Sequence, residues 1–537
     1  MTTRSTTTAR YRWGMVLVIG VLSFASGGWL LHGTADQPEV DANQLFEQVL
    51  GAVKTYYVDS LPNDSLFHKA TAGMLEQLGD PYSTLLEDDD FRALTEQTTG
   101  NYGGLGIQID VRDGWITVVA PLPETPAERA GMEAGDQIVS VDGKSTQGLN
   151  QDDAIKTLRG APGTSVTVQV RRPGLSQLMT FRITRETIHN RSVQPGVLVT
   201  PTIGLVQLTP VSETSADELS AEINRMRKAG MRGLILDLRR NPGGLLDQGV
   251  AVSDLFLDKG QQIVSTRGRA EGTSMSYAAS RDQAWEEMPV VVLVDQWTAS
   301  AAEIISGALQ DNDRAVVVGV PTFGKGLVQS LFRLGPTRAL KLTTARWFTP
   351  SGRTIQRDAA NEEAQVRAVT AIANGEDSGA LDSLPSHRTV GGRTVRGGGG
   401  IVPDRIVRGD TLTDGERAFA RALAANIESY QDALVVTALE LKERKAVTAE
   451  QFTVDAAMRQ AVYDKLEAKG VTLTEDERSG GAELLDDQLG YQVARYVFGR
   501  QAEIRRRALD DKQVQEAVRL LQVGTTPRAL MSEITGQ

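Results

Sequence analysis

The spacing of hydrophobic positions changes several times along the chain, and each spacing predicts a different kind of structure. Residues 13–31 form an apolar run without a charged residue. Residues 36–97 place apolar side chains three and four positions apart, as amphipathic helices do, with a break at Asp80-Pro81. Residues 98–187 carry short β-type runs separated by Gly, Pro and Asp turns. These patterns predict a membrane segment, a small helical segment and a β-rich domain.

Residues 188–410 alternate buried-strand patterns with helix patterns. The strand runs are, in order, IGLVQL, GLILDLR, PVVVLVD and RAVVVGV. The helical stretch SADELSAEINRMRKAG lies between the first two strand runs, and SAAEIISGALQD lies between the last two. This order predicts an α/β layer fold with a largely parallel sheet, in which ligands gather where strand ends meet helix starts. We therefore predict an α/β multidomain chain.

Two further segments follow patterns of their own. Residues 357–396 are polar, and we expect a mobile surface loop there. Residues 411–537 contain amphipathic stretches such as ERAFARALAANIESYQDALVVTALELKE, which predict a C-terminal helical extension. The apolar stripes of this extension fit completion of the core, binding of a partner or formation of a dimer, and the pattern does not choose among them.

Composition narrows the class of protein. The chain has 537 residues, enough for about two to four domains, and 40% of them are hydrophobic, as in a globular protein. A formal net charge of −11 without a long basic run argues against nucleic acid as a partner. Cysteine is absent, which excludes disulfides, a thiolate nucleophile, cysteine-ligated zinc and a lipid anchor on cysteine.

The N-terminus predicts a location. Arg4, Arg10 and Arg12 lie in a basic tail, residues 1–12, directly before the apolar run 13–31. Because basic residues stay in the cytoplasm, we expect an inner-membrane signal anchor with the rest of the chain on the periplasmic side. A cleaved signal peptide is the alternative, and it would place the chain on the same side.

Three short windows at predicted strand ends carry candidate chemistry, and the first contains a serine. In DQWTASAAEIISGALQD, Ser300 follows the turn after the strand that ends at Asp295 and begins a helix. The structural interpretation is an N-cap, with Glu303 completing a capping box. The functional interpretation is a nucleophile at a strand end, and the window alone favours the cap.

The second window contains a lysine. In GVPTFGKGLVQSLFRL, Lys325 shares one strand face with Gln329, so its side chain would reach the end of a neighbouring strand. The window nearly matches the phosphate-binding G-x-x-x-x-G-K-[ST] loop. However, Gly326 replaces the hydroxyl that would bind magnesium, and strand-like sequence follows instead of a helix. We therefore expect no nucleotide, no metal and no other cofactor.

The third window is a glycine turn. In DLRRNPGGLL, the segment Asn241-Pro242-Gly243-Gly244 follows a buried strand, and chain reversal is the simplest explanation. The functional explanation is that glycine lets a backbone N–H approach a substrate closely. Two such N–H groups form an oxyanion hole.

The β-rich domain resembles a PDZ domain in its bacterial arrangement. The matching segments are YGGLGIQI (102–109), TPAERAGMEAGDQIVSVDGKS (125–145) and LRGAPGTSVTVQVRR (158–172), in that order. The resemblance implies that the backbone N–H groups around Gly104, Leu105, Gly106 and Ile107 bind the carboxylate of a peptide C-terminus. The peptide would then add as a strand beside IQIDV.

Together, the windows resemble the C-terminal processing peptidases, or tail-specific proteases, a serine-peptidase family with an embedded PDZ domain. The matching pieces are DPYSTLL, GGLGI, DLRRNPGG, TASAAEIISGALQD, GKGLVQ and TPSGRTIQ. The resemblance implies a core like that of crotonase and Clp protease, and a serine–lysine dyad. Ser300 would be the nucleophile, Lys325 the general base and Gln329 the residue that orients the lysine. The N–H groups of Gly244 and Ala301 would form the oxyanion hole.

Histidines offer no obvious alternative base. His32, His68, His189 and His387 all lie outside the motifs. A lysine base must be neutral, and lowering its pKa from about 10.4 to about 7.5 costs roughly 4 kcal/mol. Burial is the available cause, so we expect Lys325 in a tight apolar pocket without a carboxylate partner, and we assign Glu303 to helix capping.

The resemblance also predicts partners. Substrates would be proteins or peptides with free apolar C-termini, while a homo-oligomer and an adaptor protein are left open as further partners. Arg159 is a candidate to couple tail capture to the catalytic core, against a simple surface role. The alternative function is a non-catalytic PDZ adaptor on a degenerate protease core, which the presence of Ser300, Lys325 and Gln329 disfavours.

Overall fold

The computed structural model describes residues 41–112, 114–172, 175–357, 371 and 384–536. The predicted basic tail and signal anchor therefore lie outside the described residues. Among the helices that the structure describes, none combines the length and the apolar character needed to span a bilayer. The chain divides into two compact units, Met1–Leu85 and Leu86–Gln537.

The described part of the first unit is helical. Its two helices are α1 (Ala42–Tyr56) and α2 (Asn63–Glu76). Lys54 in the last turn of α1 complements the negative end of the helix dipole. A short strand, β1 (Thr84–Glu87), follows at the boundary between the units.

The second unit opens with helix α3 (Asp88–Thr99), which ends at Gly100 in the left-handed conformation. The predicted β-rich domain follows, framed by strands that pair antiparallel where the chain enters and leaves it, β2 (Asn101–Gly104) and β9 (Glu186–His189). The domain's antiparallel sheet is formed by β3 (Ile107–Arg112), β4 (Trp115–Pro121), β5 (Gln137–Val141), β6 (Lys144–Ser145), β7 (Ser165–Arg171) and β8 (Met179–Thr184). Its two helices are α4 (Pro126–Arg129) and α5 (Gln151–Leu158). The inward-facing apolar side chains of these elements form one core.

The largest part of this unit is built on a six-stranded sheet that is parallel except at its first pair. Its strands, in spatial order, are β10 (Val197–Leu198), β11 (Ile203–Gln207), β12 (Gly233–Asp237), β15 (Val290–Val294), β16 (Val316–Gly319) and β21 (Arg405–Ile406). Strands β12 and β15 are buried along their whole length, because helices cover both faces of the sheet. This explains their continuous apolar sequences, GLILD and VVVLV.

Three helices cover one face of this sheet. They are α6 (Ser215–Lys228), α7 (Leu246–Asp254) and α8 (Ala301–Asp311). Their apolar side chains form one core with β12 and β15, which includes Leu234, Val292 and Ile305. The mixed α/β multidomain architecture predicted from the sequence is confirmed.

An antiparallel sheet adjoins the core. It contains β17 (Leu327–Arg333), β18 (Arg338–Phe348), β13 (Gln262–Gly268) and β14 (Ser276–Ala278), in that spatial order. Strand β17 begins two residues after Lys325, so the β17–β18 hairpin sets the direction in which the lysine loop leaves the core.

The prediction of a mobile surface loop over 357–396 is wrong for the part that the structure describes. Strands β19 (Ser386–Arg388) and β20 (Thr394–Arg396) form a hairpin. Within it, the guanidinium of Arg393 donates to Asp313 at 2.6 Å and to Asp404 at 2.5 Å. These ion pairs fasten the hairpin to the core, and the sequence could not show them because the partners lie far apart along the chain.

The C-terminal region is helical and has two parts. A helical cluster with its own apolar core contains α9 (Asp414–Leu423), α10 (Ile427–Glu443), α11 (Ala456–Ala468), α12 (Glu475–Gly480) and α13 (Ala482–Val493). The last three helices are α14 (Arg500–Asp510), α15 (Lys512–Val523) and α16 (Pro527–Thr535). These three pack on the second face of the parallel sheet, so the end of the chain completes the core.

Candidate active site

Ser300 lies in a strained turn between β15 and α8. Its φ is +54°, in the left-handed region that a side chain disfavours. Thr298 holds the turn, because its hydroxyl donates to the Leu238 carbonyl at 2.9 Å and accepts the Asp295 N–H at 2.9 Å. Strained backbone of this kind costs about 1–3 kcal/mol and is concentrated at functional sites. Ser300 itself is half-buried, whereas Ala301 to Asp311 are all buried.

Glu303 is a buried carboxylate that joins the serine turn to the lysine loop. Its Oε2 accepts the N–H of Ser300 at 2.7 Å and the N–H of Lys325 at 2.9 Å. Its Oε1 accepts the Thr322 hydroxyl at 2.5 Å and the Gly324 N–H at 2.7 Å. Complete burial raises the pKa of Glu303, and these four donors oppose that increase by stabilising the charge. The carboxylate therefore fixes the spacing of two chain segments as well as capping a helix.

The lysine loop is held by its backbone. The indole N–H of Trp347, a buried residue of β18, donates to the Lys325 carbonyl at 3.0 Å. The Gly326 N–H donates to Gln356 Oε1 at 2.9 Å, and a Cβ on Gly326 would lie 2.8 Å from the Gln356 nitrogen. Lys325 is half-buried, so it is less enclosed than the tight apolar pocket expected from the sequence. Part of Lys325 is therefore still accessible to another molecule.

The glycine turn packs against Ser300. A Cβ on Gly243, whose φ is +88°, would lie 2.6 Å from the Ala299 carbonyl oxygen and 2.8 Å from the Ala301 nitrogen. Only glycine permits this approach. The side chain of Asn241 fixes the turn by accepting the Gly243 N–H at 2.9 Å and donating to the Leu208 carbonyl at 2.7 Å.

The N–H of Gly244 points away from Val211, the residue with which Gly244 pairs. It forms a parallel bridge with Val211, in which the Val211 N–H donates to Gly243 and the Leu245 N–H donates to Val211. In such a bridge the N–H of Gly244 points to the other side. The Ala301 N–H belongs to the first turn of α8, where helical N–H groups lack partners in the helix. Gly244 directly follows the glycine that packs against Ser300, and Ala301 directly follows Ser300.

Two regions of the chain match known protein families. The profile of peptidase family S41 matches residues 202–365, and a PDZ-domain profile matches residues 117–172. The carboxy-terminal-processing protease of Bartonella bacilliformis is 39% identical over 315 residues, which cover 58% of this chain and 72% of that protein. The chain belongs to the carboxy-terminal processing proteases of peptidase family S41. It is a serine peptidase that acts on C-terminal regions of proteins.

Two further relatives show the extent of the similarity. The carboxy-terminal processing protease CtpA of Bacillus subtilis is 36% identical over 324 residues, 60% of this chain and 68% of that protein. A solved photosystem II D1 C-terminal processing protease is 30% identical, covers 58% of this chain and 83% of its own, and has a TM-score of 0.35.

Gln329 of this processing protease lies on β17 opposite Thr343. Its amide nitrogen lies 3.5 Å from the Thr343 hydroxyl oxygen, a weak hydrogen bond. The pairing of β17 with β18 shifts between Val328 and Gln329. The skipped position, Thr344, lies on β18, so the irregularity belongs to β18 and β17 contains no extra residue.

The described histidines of the protease's larger unit lie in other surroundings. The His189 ring binds Asn101 at 3.0 Å and Glu218 at 2.5 Å, where the chain leaves the PDZ domain. His387 lies on the β19–β20 hairpin. Neither ring is hydrogen bonded to Ser300.

The PDZ domain of the protease has a groove of about 390 Å³ beside the predicted carboxylate site. Its lining comes mainly from the GLGI loop, β3, β4 and α5, and its apolar members are Leu105, Ile107, Ile109, Val119, Ile155 and Leu158. The side chain of Leu105 is buried in the PDZ core, so only its backbone is available to a ligand. A Cβ on Gly106, whose φ is +75°, would lie 2.3 Å from the Thr125 side chain, so this turn requires glycine.

Arg159 lies at the end of this groove. Its guanidinium binds Glu96 of α3 at 2.5 Å and stacks over the Tyr102 ring at 4.3 Å. Burial raises the pKa of Tyr102, while the positive charge of Arg159 opposes that increase. Arg159 therefore connects the PDZ groove to the helix that precedes the domain.

Glu303 has a second role that its local sequence does not indicate. The spacing of three residues from Ser300 predicted a cap, and Glu303 does accept the Ser300 N–H. Its bonds to Gly324 and Lys325 cross more than twenty residues of chain. The only available signal was an acidic residue inside a strongly apolar helix, which needs buried partners.

Proposed function

We propose that Ser300 is the nucleophile of the protease and that Lys325 is its general base. The observation that carries this proposal is the shared bond to Glu303 Oε2, which holds the two residues' backbones within the sum of two hydrogen-bond lengths. A nucleophile and its base must be held together in this way for proton transfer.

The reaction follows from these positions. The neutral Lys325 amine accepts the Ser300 Oγ proton as Oγ bonds to the scissile carbonyl carbon. The N–H groups of Gly244 and Ala301 stabilise the resulting oxyanion. Collapse of the tetrahedral intermediate breaks the C–N bond, and the lysine ammonium returns its proton to the leaving amine. Water, deprotonated by the same lysine, then hydrolyses the acyl-enzyme and regenerates Ser300.

Lys325 must be neutral for this role, which requires burial. A substrate strand across the open side of the site would complete that burial. We propose that Gln329, four residues further on β17, orients the lysine amine.

The PDZ groove supports tail selection. We propose that the backbone N–H groups of Gly104, Leu105, Gly106 and Ile107 bind a free carboxylate, while the apolar lining accepts an apolar terminal side chain. Substrates are then proteins with free, apolar C-termini.

A chain of contacts leads from Arg159 in the PDZ groove, through α3, to the hairpin that follows Lys325. Its partner Glu96 lies on α3, and Phe91 of the same helix packs against Ala339 of β18. The Asp88 N–H also donates to the Thr337 carbonyl at 2.9 Å. Because β18 forms a hairpin with β17, a shift of α3 would reach the strand that follows Lys325. We propose that Arg159 couples the two sites through α3.

The sequence of residues 1–31 supports a proposal about the location of the enzyme. We propose that they anchor the protease in the inner membrane, with Ser300 on the periplasmic side. Fractionation of cells that express the full chain, with protease accessibility in spheroplasts, tests this location. A signal peptide that is cleaved would release the protein in soluble periplasmic form.

The decisive experiment measures cleavage of an unstructured reporter with a free apolar C-terminus by the full-length protein. Ser300→Ala and Lys325→Ala should each abolish cleavage, whereas Lys341→Ala on the neighbouring strand β18 should not. Amidating the reporter's terminus should weaken cleavage. If the wild-type protein binds the tail but does not cleave the reporter, the PDZ adaptor function is favoured instead.

A further inference from the structure

Arg239 connects the C-terminal helices to the glycine turn that contains Gly243 and Gly244. Arg239 follows β12 and stands two residues before Asn241. Its Nε and Nη2 donate to the two carboxylate oxygens of Asp237 at 2.9 and 2.7 Å. Its Nη1 donates to Asp511 Oδ2 at 2.5 Å and to Gln513 Oε1 at 2.9 Å. Both ends of the guanidinium fork are therefore occupied, one by its own strand and one by the start of α15.

The two carboxylate oxygens of Asp511 bind different partners. Its Oδ1 caps α15 by accepting the N–H groups of Gln513 at 2.8 Å and Val514 at 3.1 Å. This leaves Oδ2 for Arg239. Although burial disfavours the charge on Arg239, Asp237 and Asp511 raise its pKa above the usual value.

Gln513 is buried, and its side chain also connects α15 to the segment that contains Val407. Its Nε2 donates to the Val407 carbonyl at 2.8 Å, and the Val407 N–H donates to the Gly319 carbonyl at 2.9 Å. Val514, next in α15, belongs to the apolar core on the second face of the parallel sheet. Helix α15 is thus a rigid support that cannot shift without disturbing the sheet.

The turn after Arg239 leads directly to the site. The Arg240 N–H donates to Asp295 at 2.9 Å, and the Ala299 N–H donates to the Asn241 carbonyl at 2.9 Å. Asn241 also holds the N–H of Gly243. A displacement of Arg239 would therefore be transmitted to Gly243-Gly244 and to the serine turn.

From these contacts we propose that Asp511 and Gln513 are positioning residues for the oxyanion hole, acting through Arg239. This proposal rests on the proposed function, because it assumes that the Gly244 N–H binds the oxyanion. The C-terminal segment is then a part of the catalytic apparatus, and a small displacement of the turn lowers turnover without weakening tail binding.

The test uses the full-length protease and the isosteric variant Asp511→Asn, which keeps the helix cap because Asn caps as well as Asp. Gln513→Leu and the double variant complete the set. Lys512→Ala is the matched control, since Lys512 lies on the same helix as Gln513 and forms an exposed ion pair with Asp410. We expect the double variant to lower kcat by roughly 10- to 100-fold with KM within about two-fold.

A second readout separates positioning from general damage. The affinity for a peptide boronate, which forms a tetrahedral adduct on the serine, should fall in step with kcat. Binding of the same tail peptide to the PDZ groove should not change. The proposal is overturned if kcat of the double variant stays within two-fold of the wild type, or if KM alone rises. If the double variant does not fold, as judged by its Tm, Asp511→Asn alone decides by the same criteria.

The variant Ser300→Ala distinguishes a failure of the positioning role from a failure of the proposed nucleophile. If Ser300→Ala still cleaves the reporter, the proposed nucleophile is wrong whatever the Asp511 variants do. If Ser300→Ala is inactive and the Asp511 and Gln513 variants match the wild type, only the positioning role fails.

Discussion

The backbone N–H groups of Ser300 and Lys325 donate to the same oxygen, Oε2 of Glu303, at 2.7 and 2.9 Å. The two segments that carry the proposed dyad are therefore spaced by one carboxylate instead of by direct contact. Both of these bonds are made by main-chain N–H groups, so the carboxylate holds the two backbone segments at a fixed spacing.

Replacing Glu303 with Gln should disable the enzyme. Gln has one acceptor oxygen where Glu303 has two, and its amide N–H groups would face N–H donors. Two of the four present bonds would be lost, which costs about 1–3 kcal/mol for each buried donor left unsatisfied. We expect kcat/KM to fall by at least about 100-fold because the serine and lysine backbones separate.

Glu222→Gln is the matched control for this change. Glu222 is also a buried carboxylate that accepts a main-chain N–H, that of Gly196, at 2.6 Å, and it lies on α6. Its replacement should lower Tm but leave kcat near the wild-type value. If the two variants lose activity only in proportion to Tm, Glu303 has no special role in the site.

The glycine turn gives a second prediction. Gly243→Ala would place a Cβ 2.6 Å from the Ala299 carbonyl oxygen, so the turn or the serine must move. We expect cleavage to be lost while the PDZ domain still binds tail peptides. Gly260→Ala is the control, because Gly260 also has positive φ, +90°, but no atom lies within 4 Å of its added Cβ. That variant should cost about 1 kcal/mol in stability and retain activity, and equal losses in the two variants would rule out a specific clash.

Much of this arrangement could be predicted from the sequence, for local reasons. Strands β12 and β15 are buried on both faces, so their apolar runs are continuous, and the strand end places Ser300 where a nucleophile can act. The remainder depends on contacts between distant segments. Nothing near Asp511 indicates that it binds Arg239, and nothing near Arg393 indicates that it pairs with Asp313. Polar partners of this kind become visible only when the chain has folded.

The coupling path through α3 gives a third prediction. Arg159→Ala removes the ion pair with Glu96, so tail binding should persist while cleavage of a tailed reporter falls by several-fold. Glu96→Ala should have the same effect, and the double variant should be no worse than either single one, because both remove one link. Arg129→Ala, which breaks another exposed PDZ ion pair, with Glu186, is the control. Additive losses in the double variant would show that Arg159 and Glu96 act separately.

The C-terminal helical cluster gives a prediction about pH. Burial, with Asp510 and Glu483 nearby, raises the pKa of Asp487 to about 6. The folded state therefore binds this proton more tightly than the unfolded chain, whose aspartate pKa is about 3.9. Stability should fall as pH rises from about 4 to about 6 and then carry a constant penalty, which solvent screening limits to about 1 kcal/mol.

Asp487→Asn removes this penalty. We expect the variant to unfold at a higher temperature than the wild type at pH 7.5, with a much smaller difference at pH 4, where the folded carboxyl is protonated and the unfolded one is about half ionised. Calorimetry of the full-length protein at the two pH values measures this difference. Asp464→Asn is the control, because Asp464 is an exposed residue of the same cluster that accepts only the Gln460 amide, and it should shift Tm little at either pH. A gain for Asp487→Asn that is equal at both pH values would mean that the substitution stabilises by packing and not by removing a charge.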